Sequence, residues 1–256
     1  MIGIAEFLIV AGTALLSIRL YTAGLSQKYR AFFFYLVFVT LQQAFMMTLN
    51  NSPSGGRVYM KAYVLTEPIT WVFFALVVLE LFSLVLADYQ GLYTVGRWVL
   101  IIAVTSALVA SCLSLLIPSH GHQQESRLLP YYYVAERAVN LSLVVFLLTI
   151  LFVLLQYPIT LKRNIVVHSV VFSVYFLCNT VVYSVVSMRG YGAVHVVKYA
   201  LLAVTLGSLG AWLGLLNPVG EMRKVRLRPI WMPGKEEQLV TQLNNLNAAL
   251  LRATRK

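Results

Sequence analysis

Apolar residues run along this chain in long blocks with short polar punctuation between them, rather than in the amphipathic or alternating patterns of a water-soluble domain. A bilayer core of about 30 Å takes about 20 such residues at the helical rise of about 1.5 Å per residue. Seven blocks reach that length: Ile2–Thr22, Arg30–Asn50, 62–87, 97–117, 131–156, 164–188 and 191–216. Helix breakers lie between them, with a polar turn around Pro53, Gly55 and Gly56, and with Pro118, Pro130, Pro158 and Pro218 at boundaries. Pro68 alone falls inside a block, where a neighbouring helix can satisfy the carbonyl it frees. No run of alternating ten-residue strands supports a membrane barrel. The pattern predicts an all-α membrane protein, with a seven-transmembrane helix bundle over residues 1–216. A basic juxtamembrane segment and an amphipathic cytoplasmic C-terminal helix follow over 217–256.

Composition agrees with the pattern and charge adds a direction. Charged residues are only 11% of the chain and hydrophobic ones 59%, against roughly 25% charged in a soluble domain. The 20 Lys and Arg exceed the 9 Asp and Glu, for a net charge of +11. Most of that excess falls in alternate loops: Arg19, Lys28, Arg30, Arg97, Lys162 and Arg163, then Arg223, Lys224, Arg226 and Arg228. The positive-inside rule therefore predicts a multi-pass protein of the plasma (inner) membrane, N-terminus outside and C-terminus cytoplasmic. The residues before the first block lack the basic start of a cleaved signal peptide. Basic charge spread over membrane-side loops does not indicate nucleic acid as a partner.

Ionisable residues inside the blocks carry the functional information, because each costs about 2.5–3.5 kcal/mol at a helix centre. Glu6, Glu67, Glu136, Arg137, His195 and Lys198 all fall one to two turns into outward-starting helices, so they share one layer in the outer third of the bilayer. Helical phase adds Tyr63 to the face of Glu67 and Asn140 to that of Glu136. Two readings fit this layer: a buried salt-bridge network that fixes helix register, and a polar ligand pocket open to the outside. Gly207, Gly210 and Gly214 form a small-residue stripe on the other side of the seventh block, suited to close helix packing. At the other end, Arg19 and Glu80 come at similar depth and can pair, with His168 nearby. The midplane is apolar apart from Gln42, Gln43, Asn179 and Thr205.

Motifs for chemistry are missing from the sequence. There is no His-Glu-x-x-His zinc pair, no Gly-x-Ser-x-Gly elbow and no phosphate-cradling glycine loop, so the chain is read as no enzyme, with no metal and no cofactor. Cys112 and Cys178 lie within blocks at no ligand spacing. Thr66-Glu67-Pro68 and Leu79-Glu80-Leu81 resemble part of the third helix of microbial opsins, over that one span. Lys198 lies near the outer end of its helix with Val194 four residues before it, so these residues predict no retinal attachment.

After Pro218 the chain changes character. Arg223, Lys224, Arg226 and Arg228, followed by Trp231, suit anionic lipid headgroups of the inner leaflet. From Lys235 a helix is expected, with Leu239, Leu243, Leu246 and Leu250 on one seam fit for self-association or a cytoplasmic partner. In general architecture such a bundle with a Leu-Asn-rich tail helix resembles the input module of bacterial sensor kinases. The sequence thus predicts a sensory or signalling-type seven-helix protein. The alternatives are a small-solute or proton-coupled transporter and a structural subunit of a membrane complex.

Overall fold

A computed structural model describes residues 2–50, 55–86, 94, 97–98, 101–102, 105, 138–148, 160–189, 194–222, 224–226 and 236–254. Helices α1 (Ile2–Thr22), α2 (Arg30–Asn50) and α3 (Gly55–Val85) come first, then α4 (Ala138–Leu148). Strand β1 (Thr160–Lys162) leads into α5 (Arg163–Arg189) and α6 (Val194–Leu215). The one-turn helix α7 (Val219–Met222), strand β2 (Lys224–Arg226) and α8 (Glu236–Thr254) complete the chain. The long helices pack in sequence order, α1 on α2, α2 on α3 and α5 on α6, and α6 closes the bundle against α1.

Four helices among the described residues are long and apolar enough to cross a membrane: Arg30–Leu49, Lys61–Val85, Arg163–Tyr183 and Lys198–Leu215. This corrects the expected count of seven. The sensory or signalling reading built on a seven-helix architecture loses its basis with it. Hydropathy says that lipid would tolerate a segment, whereas a crossing also needs one unbroken helix of bilayer length. The fifth block is described only over residues 138–148. The fourth block lies largely outside the described residues. α1 fills the first block as a single helix of 21 residues and lies outside the four because only 6–22 of it is described in full. What stands is an all-α, multi-spanning bundle.

Helix bounds in α1, α2 and α5 follow the apolar blocks closely. α3 starts well before its block, at Gly55, and runs through Pro68 without a break. The faces of these helices divide as lipid solvation requires. Phe34, Leu41, Leu65 and Val72 stand outward, where no water penalty applies in a bilayer. Inward lies a ring-rich core of Tyr29, Phe32, Tyr35, Phe74, Phe172, Phe176 and Trp212. Phe32 meets Phe172 edge-on at 5.6 Å, and Phe172 stacks on Phe176 at the same distance; such offset and T-shaped pairs add to plain packing.

His168 belongs to this core, not to a polar set near the membrane surface. Its ring is fully buried, 4.7 Å from Tyr29 and edge-on to Phe32 at 4.6 Å, and neither ring nitrogen has a hydrogen-bond partner. Glu80 does not pair with Arg19. Its carboxylate accepts from the backbone N–H of Ala31 (2.9 Å) and Phe32 (3.2 Å), and so caps the first turn of α2. The first-turn amides of a helix have no intrahelical acceptor and sit at its positive end, which a carboxylate satisfies on both counts.

Candidate functional site

Polar residues from six helices converge at the centre of the bundle. Around a cavity of about 150 Å³ stand Thr13 of α1, Gln42 and Gln43 of α2, and Glu67 and Thr70 of α3. Asn140 of α4, Asn179 of α5 and Thr205 of α6 complete the polar lining, with aromatic walls that include Tyr35 and Trp212. Gln42 organises one side: its amide N–H₂ donates to Thr66 Oγ1 (2.9 Å) and reaches Glu67 Oε2 (3.4 Å), and its carbonyl accepts from Thr70 Oγ1 (3.3 Å). Elsewhere the donors are spent locally. Thr13 donates to Ile9 O (2.9 Å), Thr205 to Leu201 O (2.9 Å) and Asn179 Nδ2 to Tyr175 O (2.7 Å). A side chain that donates back to its own helix still offers its oxygen as an acceptor. The lining thus offers acceptor oxygens and, beside them, a donor that is not spent: Trp212 Nε1, buried and without a hydrogen-bond partner among the described residues.

The structure distributes the eight expected pocket residues unevenly. Glu67 and Asn140 line the cavity. Glu6 and Lys198 form an ion pair at 3.4 Å between α1 and α6, outside the cavity lining. Tyr63 stacks instead on Tyr59, one turn earlier in α3, at 6.4 Å. His195 lies in α6, and Glu136 and Arg137 lie outside the described residues. The cavity draws instead on Gln42, Gln43, Asn179 and Thr205, the midplane residues that stand out in the sequence against an apolar background. Their shared depth was the available signal.

Around the glycine stripe, a Cβ added at Gly207, Gly210 or Gly214 would meet nothing within 4 Å among the described residues. α6 turns its Ser208, Leu209 and Trp212 side inward. Close approach of α1 and α6 occurs at Gly12, where a Cβ would stand 3.3 Å from Leu209 Cδ1.

A second polar cluster joins the ends of three helices. Glu221 of α7 accepts from Lys28 Nζ and Tyr29 Oη, both just before α2, and from Asn164 Nδ2 at 3.1 Å in the first turn of α5. Lys162 Nζ lies 3.6 Å from the same carboxylate, and Asn164 Nδ2 also reaches Asn217 O at 2.8 Å. Gly220 permits this closeness, since a Cβ there would collide with the buried Asn164 side chain, Cγ at 2.9 Å and Oδ1 nearer still. Just beyond, the expected lipid-binding run is partly folded into a ribbon: β2 pairs antiparallel with β1, Lys224 opposite Lys162 and Arg226 opposite Thr160. Arg223, Arg228 and Trp231 lie outside the described residues. α8 forms close to its expected start; Leu239, Leu243, Leu246 and Leu250 all fall within it.

Burial pushes the Glu221 carboxyl up, but the hydrogen bonds from Lys28 and Tyr29, the Lys28 charge and Asn164 outweigh it and hold it below the usual carboxylate range. A carboxyl depressed on folding adds stability above its unfolded value of about 4.3, and that stability is lost as pH falls through the folded value. The cluster is therefore expected to hold unchanged from neutral pH to about pH 5 and to open below about pH 4. Amide exchange at residues 219–222 should accelerate in that acid window, and Glu221→Gln should remove the step.

Among the described residues no three His, Cys, Asp or Glu side chains converge on a metal-binding arrangement. The sequence matches no protein-family model, and comparison with curated proteins and with solved structures returns no match.

Proposed function

We propose that this multi-pass membrane protein binds a small polar molecule in its central cavity. One observation carries the reading: six helices each turn a polar side chain to the same cavity within the bundle. Polar groups within a membrane-spanning bundle are costly and face one another or a wet cavity. At about 150 Å³ the space suits a guest of roughly benzene size. A lining that holds acceptor oxygens and the unspent Trp212 N–H favours guests that carry both a donor and an acceptor, such as alcohols and amides, and the aromatic walls supply shape.

Ligand-observed NMR on the detergent-solubilised chain, with paired fragments that differ only in bearing an N–H or O–H donor, tests the reading. Donor-bearing fragments should bind. Asn179→Leu, which replaces one lining acceptor with an isosteric apolar group, should weaken them about tenfold, as expected for one lost buried hydrogen bond. Binding that ignores donors, or that survives both Asn179→Leu and Gln42→Leu, refutes it.

We assign the Lys28 end of the bundle to the cytoplasm, with the N-terminus outside, in the plasma (inner) membrane. Lys28, Arg30, Lys162 and Arg163 gather at that end, whereas the opposite end holds the balanced Glu6–Lys198 pair. A cysteine placed at Ser26 should react with an impermeant maleimide only in inverted vesicles; labelling of intact cells would reverse the orientation.

A further inference from the structure

Glu221 is held by more positive charge than it carries. Two ammonium groups, Lys28 and Lys162, meet one carboxylate, which leaves a net charge of +1 where the chain enters two spans. Those spans begin at Arg30 and Arg163, one or two residues beyond the lysines, so the cluster stands at headgroup depth. Two neutral donors, Tyr29 Oη and Asn164 Nδ2, complete the ring. The ribbon register places a further lysine, Lys224, directly across from Lys162.

The group that matches these partners better than a carboxylate is a phosphate monoester. It carries about −1.5 to −2 charge at neutral pH and three strongly accepting oxygens, against two ammoniums and two neutral donors. An unused acceptor points the same way: Asn164 Oδ1 is fully buried and has no hydrogen-bond partner among the described residues, and a singly protonated phosphate presents the P–OH that would supply one.

We propose that Lys28, Tyr29, Lys162 and Asn164 form a phosphate-monoester site, that Glu221 occupies it as an internal stand-in, and that a phosphomonoester lipid headgroup displaces Glu221 and frees α7. Glu221 competes only because it is tethered, on a one-turn helix that few other contacts hold. Releasing it exchanges one charge-assisted set of bonds for a better-matched one.

The full chain in phosphatidylcholine nanodiscs tests this in three arms: a minor fraction of phosphatidic acid, the same fraction of phosphatidylserine, and inorganic phosphate without anionic lipid. Phosphatidic acid should speed amide exchange at 219–222 and bind saturably. Glu221→Gln, which weakens the internal competitor, should tighten that binding about tenfold, the worth of roughly one charge-assisted hydrogen bond. Lys162→Gln should weaken it severalfold; Lys162 is half-exposed, so this variant retains the fold even if the Lys28 and Lys162 double substitution does not. Inorganic phosphate that reproduces the exchange change supports the site and moves its ligand from lipid to soluble phosphate. Equal responses to phosphatidylserine and phosphatidic acid, or no gain in Glu221→Gln, overturn the proposal.

Discussion

Phe32→Ala is expected to cost about 3 kcal/mol of bundle stability, and Phe34→Ala on the same helix under about 1 kcal/mol. The two residues differ in surroundings, not chemistry. Phe32 is 1% exposed and touches four ring systems, with centroids at 4.6 Å (His168), 5.1 Å (Trp212), 5.6 Å (Phe172) and 6.2 Å (Tyr35). Phe34 is 59% exposed and faces lipid. In a bilayer the denatured helices remain among acyl chains, so the water-to-oil transfer that dominates soluble cores is largely absent. What Phe32→Ala loses is dispersion contact and close packing, because the surrounding rings cannot collapse into the space. This places its cost toward the lower end of the range seen for buried Phe→Ala. Equilibrium unfolding in mixed micelles, titrated with a denaturing detergent, reads both substitutions. Equal losses at the two positions would contradict the inward face assigned to α2.

The same contrast explains what the sequence could reveal. Uninterrupted apolar length marks where a helix lies, and α1, α2 and α5 end close to where polarity says they should. It does not mark how many blocks cross: seven by polarity, four among the described residues. Nor does it mark which face turns inward. Helices apolar all round have little amphipathic signal, so Gly207, Gly210 and Gly214 read equally as packing or lipid-facing positions, and among the described residues nothing packs on them. Depth arguments located Glu67 and Asn140 at the cavity but joined them to Glu6 and Lys198, which pair outside its lining. The Glu221 cluster was illegible for a different reason: its partners lie 193 and 192 residues apart in the chain for Lys28 and Tyr29. No local pattern encodes such a meeting. A lone glutamate after Pro218 reads only as one acid in a basic run.

Glu80→Ala is expected to destabilise the bundle by about 3 kcal/mol, and Glu80→Gln by about 1 kcal/mol, because the two changes remove different things. Alanine removes both acceptors and strands the N–H groups of Ala31 and Phe32, the second on a residue already out of reach of solvent. Each charge-assisted bond of this kind is worth about 1.5–3 kcal/mol, and two on one carboxylate are not additive. Glutamine keeps one carbonyl oxygen aimed at the helix end and loses only the interaction of a full charge with the α2 dipole. Stability alone would not separate loss of this cap from a general loosening of α3, so the decisive readout is local. Amide exchange at Ala31 and Phe32 should rise steeply in Glu80→Ala and slightly in Glu80→Gln, while amides in the middle of α3 change no more than the global stability requires. If both variants leave the Ala31 and Phe32 amides protected, another group caps α2, and the contact between α3 and the start of α2 is packing alone.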